Sequence, residues 1–353
     1  MRYALLVLAL STTAAPAQTP NALSAEQAKE GWILLFDGKS PYGWTTKGDV
    51  RVGEGRIALP AGGNGEATWL FPPPAAFQLA FESRGGVACR LESRGNSIEN
   101  IYESPVDDWK QHTVTHDNKN GALSHVSFRG VGAGEIRSVK LKPLAAKSLF
   151  SGKDLSGWSI FEGKKSKFDV KDGVLSIEDG PGDLQTEAKY KNFFLQLECK
   201  TNGKHLNSGV FFRCRPGEYQ NGYEAQINNN FLPEATKEYT IDEYEPGTNK
   251  LLAKKKVLSA AADYGTGAIY RRVPARQAVA KDGEWFTFTI LANANHLATW
   301  VDGIQTIDWY DHRPPSDNAR TGYRRDAGHI SLQGHDPTTN LSFRNFRIVE
   351  LPD

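Results

Sequence analysis

At 353 residues the chain is long for one domain and comfortable for two. Its 42 Lys and Arg against 41 Asp and Glu leave a formal charge of +1, so the balance gives no argument for nucleic acid or an anionic membrane as partner. Three cysteines are too few for a disulfide scaffold, whereas 8 Trp, 17 Phe and 12 Tyr beside 34 Gly and 18 Pro suit short strands joined by many turns.

Met1-Arg2 is a short positive start, Ala4 to Leu10 an apolar run too short to span a bilayer, and Ala15-Pro16-Ala17 a small-residue cleavage signal. Residues 1–17 therefore read as a signal peptide with cleavage before Gln18, and the mature chain as exported, periplasmic or extracellular. Losing Arg2 takes the net charge to zero. No later stretch is apolar for long enough to be a membrane helix. A short helix is expected over residues 24–30.

Two stretches repeat. Leu34-Leu35-Phe36-Asp37-Gly38-Lys39-Ser40, Gly43-Trp44 and Val50 to Leu59 have counterparts in Ser148-Leu149-Phe150-Ser151-Gly152-Lys153-Asp154, Gly157-Trp158 and Phe168 to Ile177. The copies also end alike, with Val126-Ser127-Phe128-Arg129 before Ile136 to Leu141, and Leu341-Ser342-Phe343-Arg344 before Phe346 to Leu351. This gives two related modules, 25–143 and 145–352, divided near Pro143-Leu144-Ala145-Ala146, the first of them shortened.

In the second module the alternation predicts strands at 168–177, 193–200, 208–215, 222–228, 285–292, 297–302, 328–334 and 341–350. Asp172-Gly173 and Asp302-Gly303 read as hairpin turns. Cys199 and Cys214 could pair, but both sit in apolar strand patterns that suit buried free thiols better. From Ile227 to Trp285 strand character is weak, and Lys254-Lys255-Lys256 reads as a solvated face; so long a loop in a compact domain is usually functional or disordered.

There is no G-x-S-x-G elbow, no H-E-x-x-H, no P-loop and no CxxC pair. What stands out is polar residues on alternating strands. The period of two places Glu224 and Gln226 together, away from Tyr223, Ala225 and Ile227. It sets Phe211 and Arg213 opposite Val210 and Phe212, and Gln333 and His335 opposite Ile330 and Leu332. A Glu, a Gln, an Arg and a His could line one sheet face; equally, Glu224 and Arg213 could form an ordinary cross-strand ion pair.

The second module resembles the 3-keto-disaccharide hydrolase family. The matching elements run in order: Ser148-Leu149-Phe150 with Gly157-Trp158, Asp172-Gly173, Asn207-Ser208-Gly209-Val210-Phe211-Phe212-Arg213, Gly222 to Ile227, Thr266-Gly267-Ala268-Ile269-Tyr270, Gly283-Glu284-Trp285, Trp300-Val301-Asp302-Gly303, Gln333-Gly334-His335-Asp336, and Phe343-Arg344-Asn345-Phe346-Arg347-Ile348. The first module shares only the opening and closing strands, and residues 237–260 look inserted relative to the family pattern. The resemblance implies an all-β, concanavalin A-like jelly-roll sandwich acting on glycosides oxidised to a ketone at C3. That ketone acidifies C2–H, so a base can remove the proton and the C1 oxygen can leave by β-elimination, with or without later hydration. His335 then suits the base, since an imidazole titrates near neutrality, with Glu224 as second choice. Arg213, Arg271 and Arg272 could hold the enolate oxygen or sugar hydroxyls, Tyr270 could stack or donate, and Gln226 and Asp336 would bind substrate. A divalent metal on His335, Glu224 or Asp336 is possible, though ligand spacing gives it no support. The alternative is a non-catalytic carbohydrate-binding protein on the same fold.

Overall fold

The computed structural model describes residues 19–93, 96–117 and 123–352; the expected signal peptide, 1–17, lies outside them. The described chain is almost entirely β. Its one α-helix, Ala25–Lys29, starts at a capping box in which Ser24 and Gln27 satisfy each other's backbone N–H groups. None of the described helices is long and apolar enough to cross a membrane.

The first module is one nine-stranded sheet built on two long strands, Phe77–Ser93 and Leu123–Pro143. The register between them shifts at Ala80/Glu82 and Gly85/Val87, and such bulges bend a sheet so that it wraps its own core. Gly85 sits at one bend with φ +70°, where a Cβ would stand 2.1 Å from the Ala133 carbonyl oxygen; no other residue fits there.

The second module is a jelly-roll sandwich. An eight-stranded sheet contains Phe193–Thr201, Phe286–Asn293, His296–Val301 and Asn340–Glu350. A five-stranded sheet runs Trp158–Ile160, Gly182–Thr186, His329–Gly334, Ser208–Cys214 and Tyr223–Ile227 in that spatial order. Alternating residues of the two sheets meet in one core, among them Leu195, Leu197, Val210, Phe212, Phe288, Ile330 and Leu332. Asp172 and Gly173 both have positive φ (51° and 79°) and close the hairpin between Lys167–Lys171 and Val174–Glu178.

The repeated motif folds alike in both places. The Trp44 indole N–H donates to the Leu35 carbonyl at 2.6 Å, and that of Trp158 to the Leu149 carbonyl at 2.7 Å. The modules are not separate bodies, however. The second face of the eight-stranded sheet gives Phe194, Leu291, Ala298 and Trp300 to the first module's core, and Gln196 donates to the Gly31 carbonyl at 2.8 Å.

Two features go beyond the strands that alternation predicts. The weak stretch after Ile227 holds a projecting hairpin, Lys237–Tyr244 with Leu251–Ser259. Between the Asp172 hairpin and Phe193 lies a further strand, Gly182–Thr186, which pairs with His329–Gly334. Cys89, Cys199 and Cys214 are all buried and unpaired to one another.

Candidate active site

The site lies on the face of the five-stranded sheet that points away from the sandwich core. Tyr223, Ala225 and Ile227 go inward, which turns Glu224 and Gln226 outward. Ile330 and Leu332 go inward, which turns Ser331 and Gln333 outward, and His335 follows just past the strand end. Over this face folds the segment after Thr266, tied down by the Gln226 N–H to the Ala268 carbonyl and the Tyr270 N–H to the Glu224 carbonyl. The result is a cavity of about 360 Å³ lined by Glu224, Gln333, His335, Asn207, Tyr219, Gln220, Tyr270, Arg271, Arg272 and Arg320.

Glu224 is the dominant chemical group. Its carboxyl has no hydrogen bond or ion pair from a protein side chain among the described residues. Burial pushes its pKa up to about 8; Arg320 and Arg271 pull against this, while Asp263 and Asp183 add to it. Gly209, opposite Gln226 on the neighbouring strand, makes the room: a Cβ there would sit 2.8 Å from the Glu224 side chain. A carboxyl held neutral until pH 8 inside a polar cavity is the kind of perturbed group that marks functional sites.

His335 stands at the rim in a chain of amide contacts. The Gln226 Nε2 donates to the Asn207 Oδ1 at 3.2 Å, and the Asn207 Nδ2 lies 3.2 Å from the His335 Nε2. The other imidazole nitrogen, Nδ1, is 2.8 Å from the Asp336 Oδ2. With Nδ1–H donated to Asp336, the lone pair on Nε2 is the one Asn207 covers. Gln226 also donates to Asp263 and is fully buried, so it braces the cavity from behind. Tyr270 forms the wall, its ring edge-on to Tyr264 at 5.2 Å, and the Arg271 guanidinium lies 5.3 Å from the Tyr270 ring centre. Arg272 donates to the Arg320 carbonyl, which shapes the rim.

Arg213 does not belong to the site. Parity alone would put it beside Glu224, but the ladder slips between Phe211 and Cys214, and Arg213 takes φ +51°. Its fully buried guanidinium donates to the carbonyls of Lys191, Ala294 and Arg324 and to the Asn192 Oδ1. It ties the ends of the two sheets together, with four of its five N–H donors spent inside the protein and its side chain closed off from a substrate.

The donor set does not make a metal centre. Both His335 nitrogens are engaged, Asp336 accepts from Thr338 as well as His335, and no group of three or more His, Cys, Asp and Glu gathers among the described residues. Asp183, Asn207, Tyr219, Asp263 and Arg320 join the site's surroundings without standing on the alternating strand positions that the sequence pattern marks. For Asn207 the signal was present, since it opens one of the matched segments. Asp183 is buried, with its pKa raised by burial to about 6 against the hydrogen bond from the Gln220 N–H. A wider, more apolar groove of about 650 Å³ lies between the projecting hairpin and Trp309; the unpartnered carboxyl is in the smaller cavity.

Residues 145–349 match the family model of the 3-keto-alpha-glucoside-1,2-lyase-like domain. Among solved structures, a "putative glycosyl hydrolase" from Parabacteroides distasonis is 22% identical over 59% of this chain and 94% of its own, with a TM-score of 0.44. A second from the same organism is 24% identical over 58% and 99%, with a TM-score of 0.42. The carbohydrate binding module CBM66 from Bacillus subtilis is 13% identical over 55% and 96%, with a TM-score of 0.35. No curated protein matches the chain.

Proposed function

The chain belongs, through residues 145–349, to the family of 3-keto-alpha-glucoside-1,2-lyase-like domains, and on that premise we propose that this carbohydrate-active protein cleaves glycosides bearing a ketone at C3. The observation that carries the reading is Glu224: one carboxyl, unpartnered, in a polar cavity, with its pKa near 8. An elimination route needs one base of near-neutral pKa, whereas ordinary glycoside hydrolysis needs two carboxyls flanking the bond.

In this mechanism the Glu224 carboxylate removes the C2 proton. The electron pair forms the C2=C3 bond of an enolate, with the charge on the C3 oxygen. Arg271 and Arg320 flank the same cavity and favour that charge, as fixed cationic donors do for developing oxyanions. Collapse of the enolate breaks the C1–O bond, and the departing oxygen takes up the proton held on Glu224. The products are the free aglycone and an enone with a C1=C2 double bond conjugated to the C3 ketone. Tyr270 offers the sugar ring an aromatic face, and Asn207 holds the His335 ring in one orientation at the rim.

Export stays part of the proposal, resting on the Met1–Ala17 pattern. The competing reading, a carbohydrate-binding protein without chemistry, gains nothing from a buried carboxyl that makes no hydrogen bond or ion pair with a protein side chain among the described residues. The deciding experiment incubates the protein with a 3-keto-glucoside and with its unoxidised parent and follows aglycone release. Release from the ketone alone is expected. Comparable turnover of the parent would promote ordinary glycosidase chemistry, and no release from either would leave the binding protein.

A further inference from the structure

Positive charge gathers around the cavity without anions to match it. Arg271, Arg272 and Arg320 all line it, and the Lys164 ammonium sits 4.0 Å from the ring centre of Tyr219, another lining residue. Elsewhere in the chain many arginines have carboxylate partners: Arg56 and Arg84 share Glu135, Arg137 meets Glu82, and Arg344 meets Glu198. Among the described residues, Arg271, Arg272, Arg320 and Lys164 form no ion pair. The acidic groups nearby do not balance them. Glu224, the acidic residue of the lining, is held neutral to about pH 8 by burial. Asp336 is engaged with His335 and Thr338, and Asp263 accepts from Gln226.

The backbone holds one of these cations in place at a cost. Arg271 has φ +58°, a conformation that ordinary side chains keep only where their surroundings impose it, and one that clusters at functional sites. Here its neighbours are tied on both sides, the Tyr270 N–H to the Glu224 carbonyl and the Arg272 N–H to the Ile269 carbonyl, each at 2.9 Å. Elimination does not use up the charge. It places one negative charge on the C3 oxygen while Glu224, carrying the C2 proton, is neutral, so one anion faces three guanidiniums. The positions of the groups say where a second anion belongs. The ketone ring has to rest over Glu224, on the strand that floors the cavity, and about 360 Å³ is at the small end of ligand pockets. The aglycone therefore reaches outward, past Arg271 and Arg320, which are exposed.

We propose that the substrate is an acidic glycoside, whose aglycone carries a carboxylate held at the cavity mouth by Arg271 and Arg320. This rests on the elimination reading above and names the class of its leaving group. A guanidinium presents paired N–H donors that match the two oxygens of a carboxylate, so the contact orients the aglycone as well as holding it. A cluster of one sign around a cleft also raises the local concentration of substrates of the other sign.

The test compares the 3-keto-glucosides of 4-hydroxybenzoate and of its neutral amide, together with the unoxidised parents of both. Wild type should favour the acid about tenfold, the scale of a charge-assisted hydrogen bond, in KM for the ketones and in calorimetric Kd for the parents. That preference should shrink as salt rises from about 0.05 to about 0.5 M. Arg320→Gln and Arg271→Gln, both at exposed positions, should each cut the acid-to-amide ratio about threefold or more, whatever happens to the rates themselves. Equal affinity for acid and amide in wild type, or a preference that both variants keep in full, overturns the proposal. So does tighter binding of a 3-keto-glucuronide with the neutral aglycone, which would put the anion on the sugar ring. A preference for the acid among the parents, with no aglycone released from either ketone, would uphold the acidic class and count against the elimination reading alone.

Discussion

Glu224 can be tested at three levels because burial acts on its proton, its chemistry and the fold together. Removing the unpartnered cavity carboxyl, Glu224→Gln should lower turnover of a 3-keto-glycoside by about a hundredfold or more. The base form grows as the carboxyl ionises, so the wild-type rate should climb with pH and level off above about 8. Stability must run the other way. A carboxyl raised from 4.5 to about 8 stabilises the fold fully below the lower value, and that contribution is lost as pH rises through the upper one. Asp183, raised from 3.8 to about 6, acts likewise at lower pH. The melting temperature should therefore fall between pH 6 and 8, and Glu224→Gln should flatten the curve in that window; an unchanged slope would place the stability effect elsewhere. His335 behaves differently, because Asn207 covers its Nε2 and Asp336 holds its Nδ1. His335→Gln should cost about tenfold, and a larger loss than for Glu224→Gln would make the imidazole the C2 base. For Arg213, a buried guanidinium with four hydrogen bonds inside the protein makes the expected loss structural: Arg213→Met should destabilise by about 3–5 kcal/mol in denaturant melts, while the molecules that stay folded turn over normally.

At the scale of elements, legibility followed burial. Strands with one face in a core announced themselves by period two, and Phe193–Thr201, Ser208–Cys214, Tyr223–Ile227 and His329–Gly334 fall within a residue or so of where alternation placed them. Leu251–Ser259 could not be read this way, since all but its last two or three residues are exposed on both faces and no core imposes a pattern. The same rule explains the site. Glu224, Gln226, Gln333 and His335 share a face because parity carries them there, whereas Arg213 escapes through a bulge that no pattern of side chains encodes. Asp183 sits in a five-residue strand after the Gly180-Pro181 turn, too short for alternation to show. The projecting hairpin reaches the cavity through a ladder of rings. The Tyr239 hydroxyl donates to the Ala261 carbonyl at 2.7 Å and accepts the Tyr264 N–H at 2.9 Å, and Tyr264 meets Tyr270 in the cavity wall. Tyr239→Phe keeps the ring and removes both bonds. It should raise KM severalfold with little change in kcat, a split that shows the hairpin positions the wall and takes no part in the chemistry. An unchanged KM would reduce the hairpin to an appendage.

For the whole molecule, the question is what the first module does for the second. It has no counterpart of Glu224, Gln333 or His335, so the chemistry belongs to residues beyond Leu144. The second module's large sheet, however, is buried on both faces, and the face away from the cavity puts Phe194, Leu291, Ala298 and Trp300 into the first module's core. Trp300 is fully buried there, stacked edge-on to Phe71 at 5.6 Å, with its indole N–H directed at the Leu34 carbonyl. A fragment starting near Leu144 would expose these side chains, with Phe194 and Leu291 each worth about 1.5–3 kcal/mol when fully buried, as one contiguous apolar patch of the kind that drives association. The fragment should therefore form aggregates on a sizing column while its monomeric fraction turns over a 3-keto-glycoside at close to the full-length rate. Trp300→Ala in the full chain should cost about 3–5 kcal/mol, again with turnover per folded molecule retained. Replacing Phe194 and Leu291 by Thr in the fragment should recover monomer, since both point away from the cavity. A monomeric, folded fragment without activity would mean that the first module contributes to the cavity itself, through the Asp37–Arg276 ion pair that anchors the far end of the Ile269–Arg276 segment at 2.7 Å.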